Sequence, residues 1–513
     1  VVAARLSEDP DVSVCLIEAG GSDASAAITI PMLSFIANSR PAFAWGYQTE
    51  GIEALDGRRI GLTQAKVLGG ASAINGTLYQ RSHSSEYDGW GVRSWSFDAL
   101  LPHFKRSETY LGRPSPYRGT EGPIQVQRSE TNLPIAHAFL NAAQAAGHPL
   151  VDDTNANVAH GFGFVDCTIA GGRRETSYRA FIRPARVRPN LTVLSGAEAR
   201  RIAIVSGRAT AVELVRTGVV ETVTADREII VAAGAIGSPK LLMLSGIGNA
   251  DHLTRCGIPV KADRAAVGTN LANHVRYSLL YVASEAVTAY RYRTLAGAIP
   301  GGIDYILRRR GFLAGTALPV GGVASTDGDS STPDINIALS TALMGSGRGA
   351  LGVMPKQHGF SLLVRQGRPF SRGSVRLRSG DPSAAPIIDT RYLSDSRDLA
   401  VLMRGIRLAR EIVSQPELRK LVKREIQPGP IVDDPEALAA SIRSTAGNVF
   451  HPVGTCRIGE DADSVLDPQL RVRGVEGLRV ADTSAIPALV TSGTYALALM
   501  IGERAADVIR QGR

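Results

Sequence analysis

An α/β fold of the Rossmann type is predicted by three observations on this 513-residue chain. Residues 12–19 (VSVCLIEA) are an apolar run that ends in Glu18, followed by Gly20 and Gly21, the pattern of a buried strand ending at a nucleotide ribose. Residues 227–233 (REIIVAA) are a second buried strand, and it meets Gly234, where backbone can approach a ligand closely. Past Gly21, short apolar strands alternate with helical segments, as an α/β chain requires.

Residues 1–7 read as the end of a helix. In dinucleotide-binding folds the acidic strand-end residue lies about 20 residues after the glycine-rich phosphate loop. Counting back from Glu18 puts that loop at or before residue 1, so the first strand and its loop are expected to be missing from a truncated sequence. Residues 191–194 and 202–205 read as strands of a small sheet. A helix is expected to start near Ser238 and Pro239, an N-cap followed by a proline in the first turn. The GxGxG string at 345–349 has no strand before it and reads as a flexible loop. From about 276 to 444 the motifs stop, and Pro, Gly and Ser interrupt short elements, which divides the chain into 1–275, 276–444 and 445–513.

With 44% hydrophobic residues the chain can bury a large core in more than one folding unit. The formal charge of +9 is spread over 57 basic and 48 acidic residues, and the only tight basic run is Arg308, Arg309 and Arg310. That run reads as a solvated helix end in preference to a nucleic-acid or acidic-lipid patch, so no nucleic-acid partner is expected. Four cysteines lie far apart with no CxxC pair, which indicates neither a disulfide framework nor a metal site. The longest apolar runs, 229–237 and 489–502, are shorter than a membrane span, so no integral membrane segment is expected. The first residues lack the order of a secretory signal, and cytoplasmic residence is the expectation.

Three glycine-bearing tracts carry the chemistry. In NVFHPVGTCRIG (448–459), Pro452 fixes its own φ and biases His451 toward an extended backbone, so the imidazole sits on a stiff support. Such a ring is a proton-transfer group or a structural hydrogen-bonder, and the tract alone leaves both open. In KVLGGASAINGTLYQR (66–81), little side chain separates backbone from a flat ligand around Gly69, Gly70 and Ser72, although a tight packing turn has the same composition. The third tract is VAAGAIGSPKLLMLSGIG (231–248).

In this order the three tracts resemble the signature stretches of the glucose-methanol-choline (GMC) family of FAD-dependent oxidoreductases. Residues 6–21, 188–202, 267–274 (VGTNLANH) and 368–382 are similar to the family's connecting pieces. The resemblance implies a Rossmann-like FAD-binding domain with a discontinuous α+β substrate-binding domain over 276–444. It places Glu18, Ala19 and Gly20 at the adenosine ribose with the backbone of Ala199. Val67, Gly69, Gly70 and Ser72 then lie along the pyrophosphate and flavin, with Asn75 and Gly76 at the isoalloxazine edge. Ala233 and Gly234 approach the cofactor, Asp482 sits near the ribityl chain, and a helix starting near Thr494 points its positive end at the flavin. Asp482 also suits a turn or helix cap. Some relatives link FAD to a histidine within the 66–81 motif, but that position resembles Ile74 here, so FAD is expected to be noncovalent. An arginine common before the motif is Gln64.

The resemblance further implies an alcohol oxidase or dehydrogenase similar to choline dehydrogenases, acting on a primary or secondary alcohol. His451 takes the hydroxyl proton, hydride goes to flavin N5, and electrons leave to oxygen or a quinone-type acceptor. Where relatives place a second His or Asn, this chain has Gly493. Tyr495 or a water is left to supply that bond, and a buried structural role is the favoured reading of Tyr495. Two other classes stay open: a hydroxynitrile-lyase-like FAD protein without net redox, and an inactive flavin-fold protein. Bleaching of the flavin on anaerobic mixing with an alcohol separates them from an oxidoreductase.

Overall fold

The strand Val14–Glu18 pairs in parallel with Leu191–Ser195, Val14 opposite Leu191 and Glu18 opposite Ser195. The structure is a computed structural model that describes residues 1–328, 332–345, 356–429 and 434–512. The helix expected at the start is Val2–Leu6. Asn190 ties the turn after it to the strand pair, its Nδ2 donating to the carbonyls of Ser7, Asp9 and Val12. A second parallel pair joins Ile229–Val231 to Leu478–Val480, which brings the last part of the chain beside the first. Among the described residues the two pairs are not hydrogen-bonded to each other, and Val14, Leu16 and Ile230 line a cleft between them.

Residues 191–194 were expected in the same small sheet as 202–205, and the structure separates them. The small sheet is instead Ala197–Val205, Arg208–Arg216 and Val219–Thr224, antiparallel throughout. Its two hairpins turn on Ser206-Gly207 and Thr217-Gly218, and all four residues have positive φ, the type I′ geometry whose twist matches the strands. Local pattern reveals a strand but not its partner.

The helix expected near Ser238 begins earlier, as Gly234–Leu244, with Ala233 as its N-cap residue. Pro239 therefore lies inside it and leaves the Ala235 carbonyl without its helical donor. Thr455 Oγ1 fills that vacancy at 2.7 Å. Ser238 Oγ accepts from the Ala233 N–H and donates to Asp482.

The second unit is an antiparallel sheet in the order Val422–Gln427, Val275–Ala283, Gly359–Gln366, Ile335–Ser340, Val320–Ala324, Gly161–Phe164, with Gly447–Asn448 paired to Val275–Ala283 as well. The helices Pro134–Ala145 and Ser396–Ser414 cover it through a core that includes Phe139, Phe162, Ile337, Leu362 and Leu402. The sheet that the sequence places between 276 and 444 thus takes in strands from both flanking parts. The four cysteines are unpaired. Among the described residues no helix is long and apolar enough to cross a membrane, and no group of His, Cys, Asp or Glu has metal-site geometry. Of the 345–349 string, residues 346–349 lie outside the described residues.

Candidate active site

A cleft of about 2530 Å³ is lined by Glu18, Ala19, Gly70, Ala199, Ala233, Gly234 and Asp482. It exceeds the roughly 300–1,000 Å³ of an ordinary small-molecule pocket, as an extended dinucleotide requires. Glu18 uses Oε1 to accept from the Gly20 N–H at 2.7 Å, and burial raises its pKa against the pull of that bond and of Lys66. Gln64 also lines the cleft.

Seven of the expected cofactor residues do not line the cleft: Asn75, Gly76 and Thr494 lie away from it, and Gly20, Val67, Gly69 and Ser72 shape it from behind. A Cβ on Gly20 would lie 2.1 Å from the carbonyl carbon of Lys66, so glycine is needed there for the strand end to approach the 66–67 peptide. Val67 is buried with Ile28 and Ile74. Gly69, at φ +92°, abuts Tyr178. Ser72 Oγ donates to the Gly69 carbonyl at 2.6 Å and accepts from the Ser177 N–H at 2.9 Å. These contacts hold the turn that presents Gly70 and Ala71 to the cleft.

Asn75 Oδ1 accepts from the buried Arg174 guanidinium at 2.7 Å and from the Thr77 N–H at 3.0 Å, while Gly76 beyond it is exposed. Asp482 is indeed a cap. Its Oδ1 accepts from Ser484 N–H at the start of the short helix Thr483–Ala485, and its Oδ2 accepts from Gly234 N–H and Ser238 Oγ. It therefore also sets the Gly234 turn beside the cleft. Thr494 is the N-cap residue of the helix Tyr495–Gln511 and makes no side-chain cap bond.

His451 is held at both backbone and ring. Its N–H donates to Asn273 Oδ1 at 2.9 Å, and the neighbouring Val453 exchanges two backbone bonds with Ala272. The imidazole meets a second histidine that sequence reasoning did not single out: His274 Nδ1 lies 3.0 Å from His451 Nδ1. The other nitrogen of His274, Nε2, sits 2.8 Å from the Gly367 carbonyl and 2.9 Å from the Val490 carbonyl. Carbonyls only accept, so His274 Nε2 carries the hydrogen. Burial, with Arg365 and His451 nearby, holds the His274 pKa well below the ordinary 6.5, so the ring is neutral and its Nδ1 accepts. His451 must then donate from Nδ1, which leaves a lone pair on its Nε2. Burial and Arg365 likewise hold the His451 pKa well below 6.5.

The Nε2 side of His451 faces Gly493. A Cβ there would lie 3.8 Å from His451 Nε2, 3.7 Å from its Cε1 and 3.7 Å from Gln80 Oε1, all ordinary contacts. Gln80 is thus the hydrogen-bonding side chain beside Gly493, and sequence reasoning missed it too. The segment is pinned from both sides: Ser492 N–H donates to Ser82 Oγ, Ser492 Oγ to the Arg81 carbonyl, and Thr491 N–H to Glu86, whose pKa burial raises to about 7. Tyr495 packs edge-on against Tyr79, and its buried hydroxyl has no partner. The groups acting on that hydroxyl are Glu175, Tyr79, Ser72 and Arg174, which come from the 66–81 loop and the 174–175 segment and not from the face beside His451.

Residues 14–276 match the N-terminal GMC oxidoreductase model and residues 369–502 the C-terminal one. The chain belongs to the GMC oxidoreductase family. An oxygen-dependent choline dehydrogenase of Rhizobium johnstonii is 39% identical over 514 residues, covering 99% of this chain and 93% of the relative. Among solved structures, pyridoxine 4-oxidase from Mesorbium loti superposes with a TM-score of 0.89 at 29% identity, over 99% of this chain and 96% of that one. An FAD-dependent oxidoreductase from Chaetomium thermophilum gives 0.91 at 27% identity, over 100% and 97%. This GMC oxidoreductase is accordingly an FAD-dependent enzyme, and the cleft suits the cofactor: a strand-end carboxylate, backbone stripped of side chains at Gly70 and Gly234, and the volume for a dinucleotide meet there. Two of the residues missed in its sequence, Asn273 and His274, close the VGTNLANH tract. Their partners lie 178 and 177 positions away, beyond any local signal.

Proposed function

We propose that this GMC oxidoreductase oxidises a primary or secondary alcohol, with His451 Nε2 accepting the hydroxyl proton. The His274–His451 pair carries the reading, because it leaves the base neutral with its lone pair on the nitrogen that faces the open Gly493 position. FAD, when bound, supplies the hydride acceptor. Gln80 would serve the substrate oxygen with its amide turned so that Nε2, in place of Oε1, lies beside Gly493 and donates as charge develops. FAD is held noncovalently in this reading, since Ile74 offers no nucleophile and is buried in an apolar cluster. Oxygen or a quinone-type compound is the final acceptor, and the four unpaired cysteines suit a reducing cytoplasm.

The test is anaerobic mixing of the FAD-loaded enzyme with a panel of alcohols, choline first because relatives are named for it. Bleaching of the flavin by at least one alcohol is expected. A flavin that stays oxidised with every alcohol would overturn the reading in favour of a lyase-like or inactive protein.

Two further results follow from the geometry. Because His451 is held neutral, flavin reduction should be flat from neutral pH upward and fall only on the acid side, below 6.5. Stability should fall in the same direction: both histidines have depressed folded-state pKa values, so their contribution is complete above 6.5 and is lost as pH drops below it. Stopped-flow rates and melting temperatures across pH check both, and a rate that rises through the alkaline range contradicts the first. Gln80→Leu should lower the flavin-reduction rate by about tenfold or more through the lost donor, and Tyr495→Phe should be nearly silent. The opposite ranking would return the role to Tyr495.

A further inference from the structure

The helix Leu295–Arg308 presents its apolar residues outward. Its inward side is small: a Cβ on Gly297 would lie 2.1 Å from the Arg291 carbonyl oxygen, Gly301 faces the Tyr292 ring, and Tyr305 is the buried anchor. The large aliphatic residues Leu295, Ile299, Ile303, Ile306 and Leu307 are between 52% and 78% exposed. At about 100° per residue their positions fall within an arc of roughly 120°, opposite Gly297, Gly301 and Tyr305. A surface helix ordinarily turns such a stripe to the core. No other element among the described residues exposes so many large apolar side chains together, and a contiguous patch of this kind marks an interaction surface.

Charge at its ends identifies the occupant. Arg291 and Arg293 precede the helix, Arg308 closes it, and Arg309 and Arg310 follow, all exposed. Arg308 faces Asp304 at 3.5 Å, and that aspartate lies on the inward side. Two copies meeting through this face would bring like charges together at both ends. An aliphatic stripe between arginine clusters matches the boundary of an anionic bilayer, where side chains enter the acyl region and guanidiniums take headgroup phosphates. We infer that the helix Leu295–Arg308 docks this enzyme on a membrane surface bearing anionic lipid.

At 14 residues the helix is about 21 Å long, suited to lying on a bilayer and too short to cross one. It is also joined to the site. Phe312, just past the arginines, stacks on Tyr292 with ring centroids 4.4 Å apart, and Thr316 Oγ1 then donates to the Gly76 carbonyl at 3.3 Å. Docking here would bring the Gly76 loop to the side where a lipid-dissolved acceptor resides. The docking itself is read without substrate, so it stands or falls apart from the alcohol chemistry. The basic run, which the sequence reads as a solvated helix end, becomes in this setting one end of a lipid-binding face.

The experiment is co-sedimentation of the FAD-loaded full chain with vesicles of phosphatidylcholine alone or mixed with phosphatidylglycerol. Binding to the mixed vesicles, weakened by salt, is expected. Ile303→Asp with Leu307→Asp should lower the partition coefficient by about tenfold or more, and neutralising Arg308, Arg309 and Arg310 to Gln should remove the preference for phosphatidylglycerol. Flavin reduction by alcohol in free solution should stay at the parental rate in both variants. Absence of vesicle binding, or equal binding by the Ile303→Asp, Leu307→Asp variant, would overturn the inference. Self-association of the parent that the same double variant abolishes, without vesicle binding, would overturn it in favour of a second copy.

Discussion

His451→Ala in the FAD-loaded enzyme is expected to slow flavin reduction by an alcohol by about 10²- to 10⁴-fold, the range for loss of a positioned general base. FAD should remain bound, because His451 does not line the cofactor cleft. The size of the effect rests on preparation of the ring before substrate arrives. Asn273 fixes the backbone of His451, the Ala272–Val453 bonds fix the strand that carries it, and His274 fixes its tautomer. Substrate therefore meets a lone pair already in place, with no proton to relocate. A variant that bleaches its flavin at the parental rate would remove His451 from the chemistry.

His274→Ala is expected to lower the same rate by about 10- to 10³-fold although the residue never meets substrate, since a base in the wrong tautomer is nearly as poor as no base. Without His274 the hydrogen on His451 is free to move to Nε2, and the ring loses the partner opposite its Nδ1. Water entering the vacated space should relieve part of the desolvation that depresses His451, so the acid limb of the pH profile should move up toward 6.5. A purely structural loss would leave that limb in place. The Gly367 and Val490 carbonyls also lose their donor, at a cost of about 1–3 kcal/mol of stability that thermal unfolding would register. Parental rate and profile in His274→Ala would show that the tautomer is set by something other than this pair.

Among the elements that the sequence predicts, those with local causes are present. An apolar run closed by Glu18 and two glycines makes a buried strand, and the structure has it at Val14–Glu18 with its carboxylate on the cleft. Pro452 next to His451 stiffens that tract, and the tract is pinned. The helix start at Gly234 was misread because Ser238-Pro239 is a strong local N-terminal signal. It was overridden by a threonine 220 positions away in sequence, which satisfies the carbonyl that Pro239 exposes.

At the site the same division holds. Gly69 and Ser72 are legible as part of a ligand loop, since small residues announce close approach, and Gly20 as the glycine after a strand-end carboxylate. Whether the thing approached is a ligand or another stretch of chain depends on the fold, and for these three it is the Lys66–Val67 peptide, Tyr178 and Ser177. His274 and Gln80 carry no local mark at all. A histidine ending one tract and a glutamine near the end of another become a base-setting partner and an oxygen-binding amide only when the fold brings residues 80, 274, 451 and 493 together.

The sequence by itself determined the strand ends and the stiff support of His451, because each follows from the conformational limits of a few adjacent residues, and the resemblance of its tracts to the family marked the missing side chain at Gly493. Tertiary structure alone decided which histidine nitrogen is free, which small residues face the cleft, and that the stripe on Leu295–Arg308 points outward. Those depend on hydrogen-bond partners and burial set by chain segments far apart in sequence, and no adjacent residue encodes them.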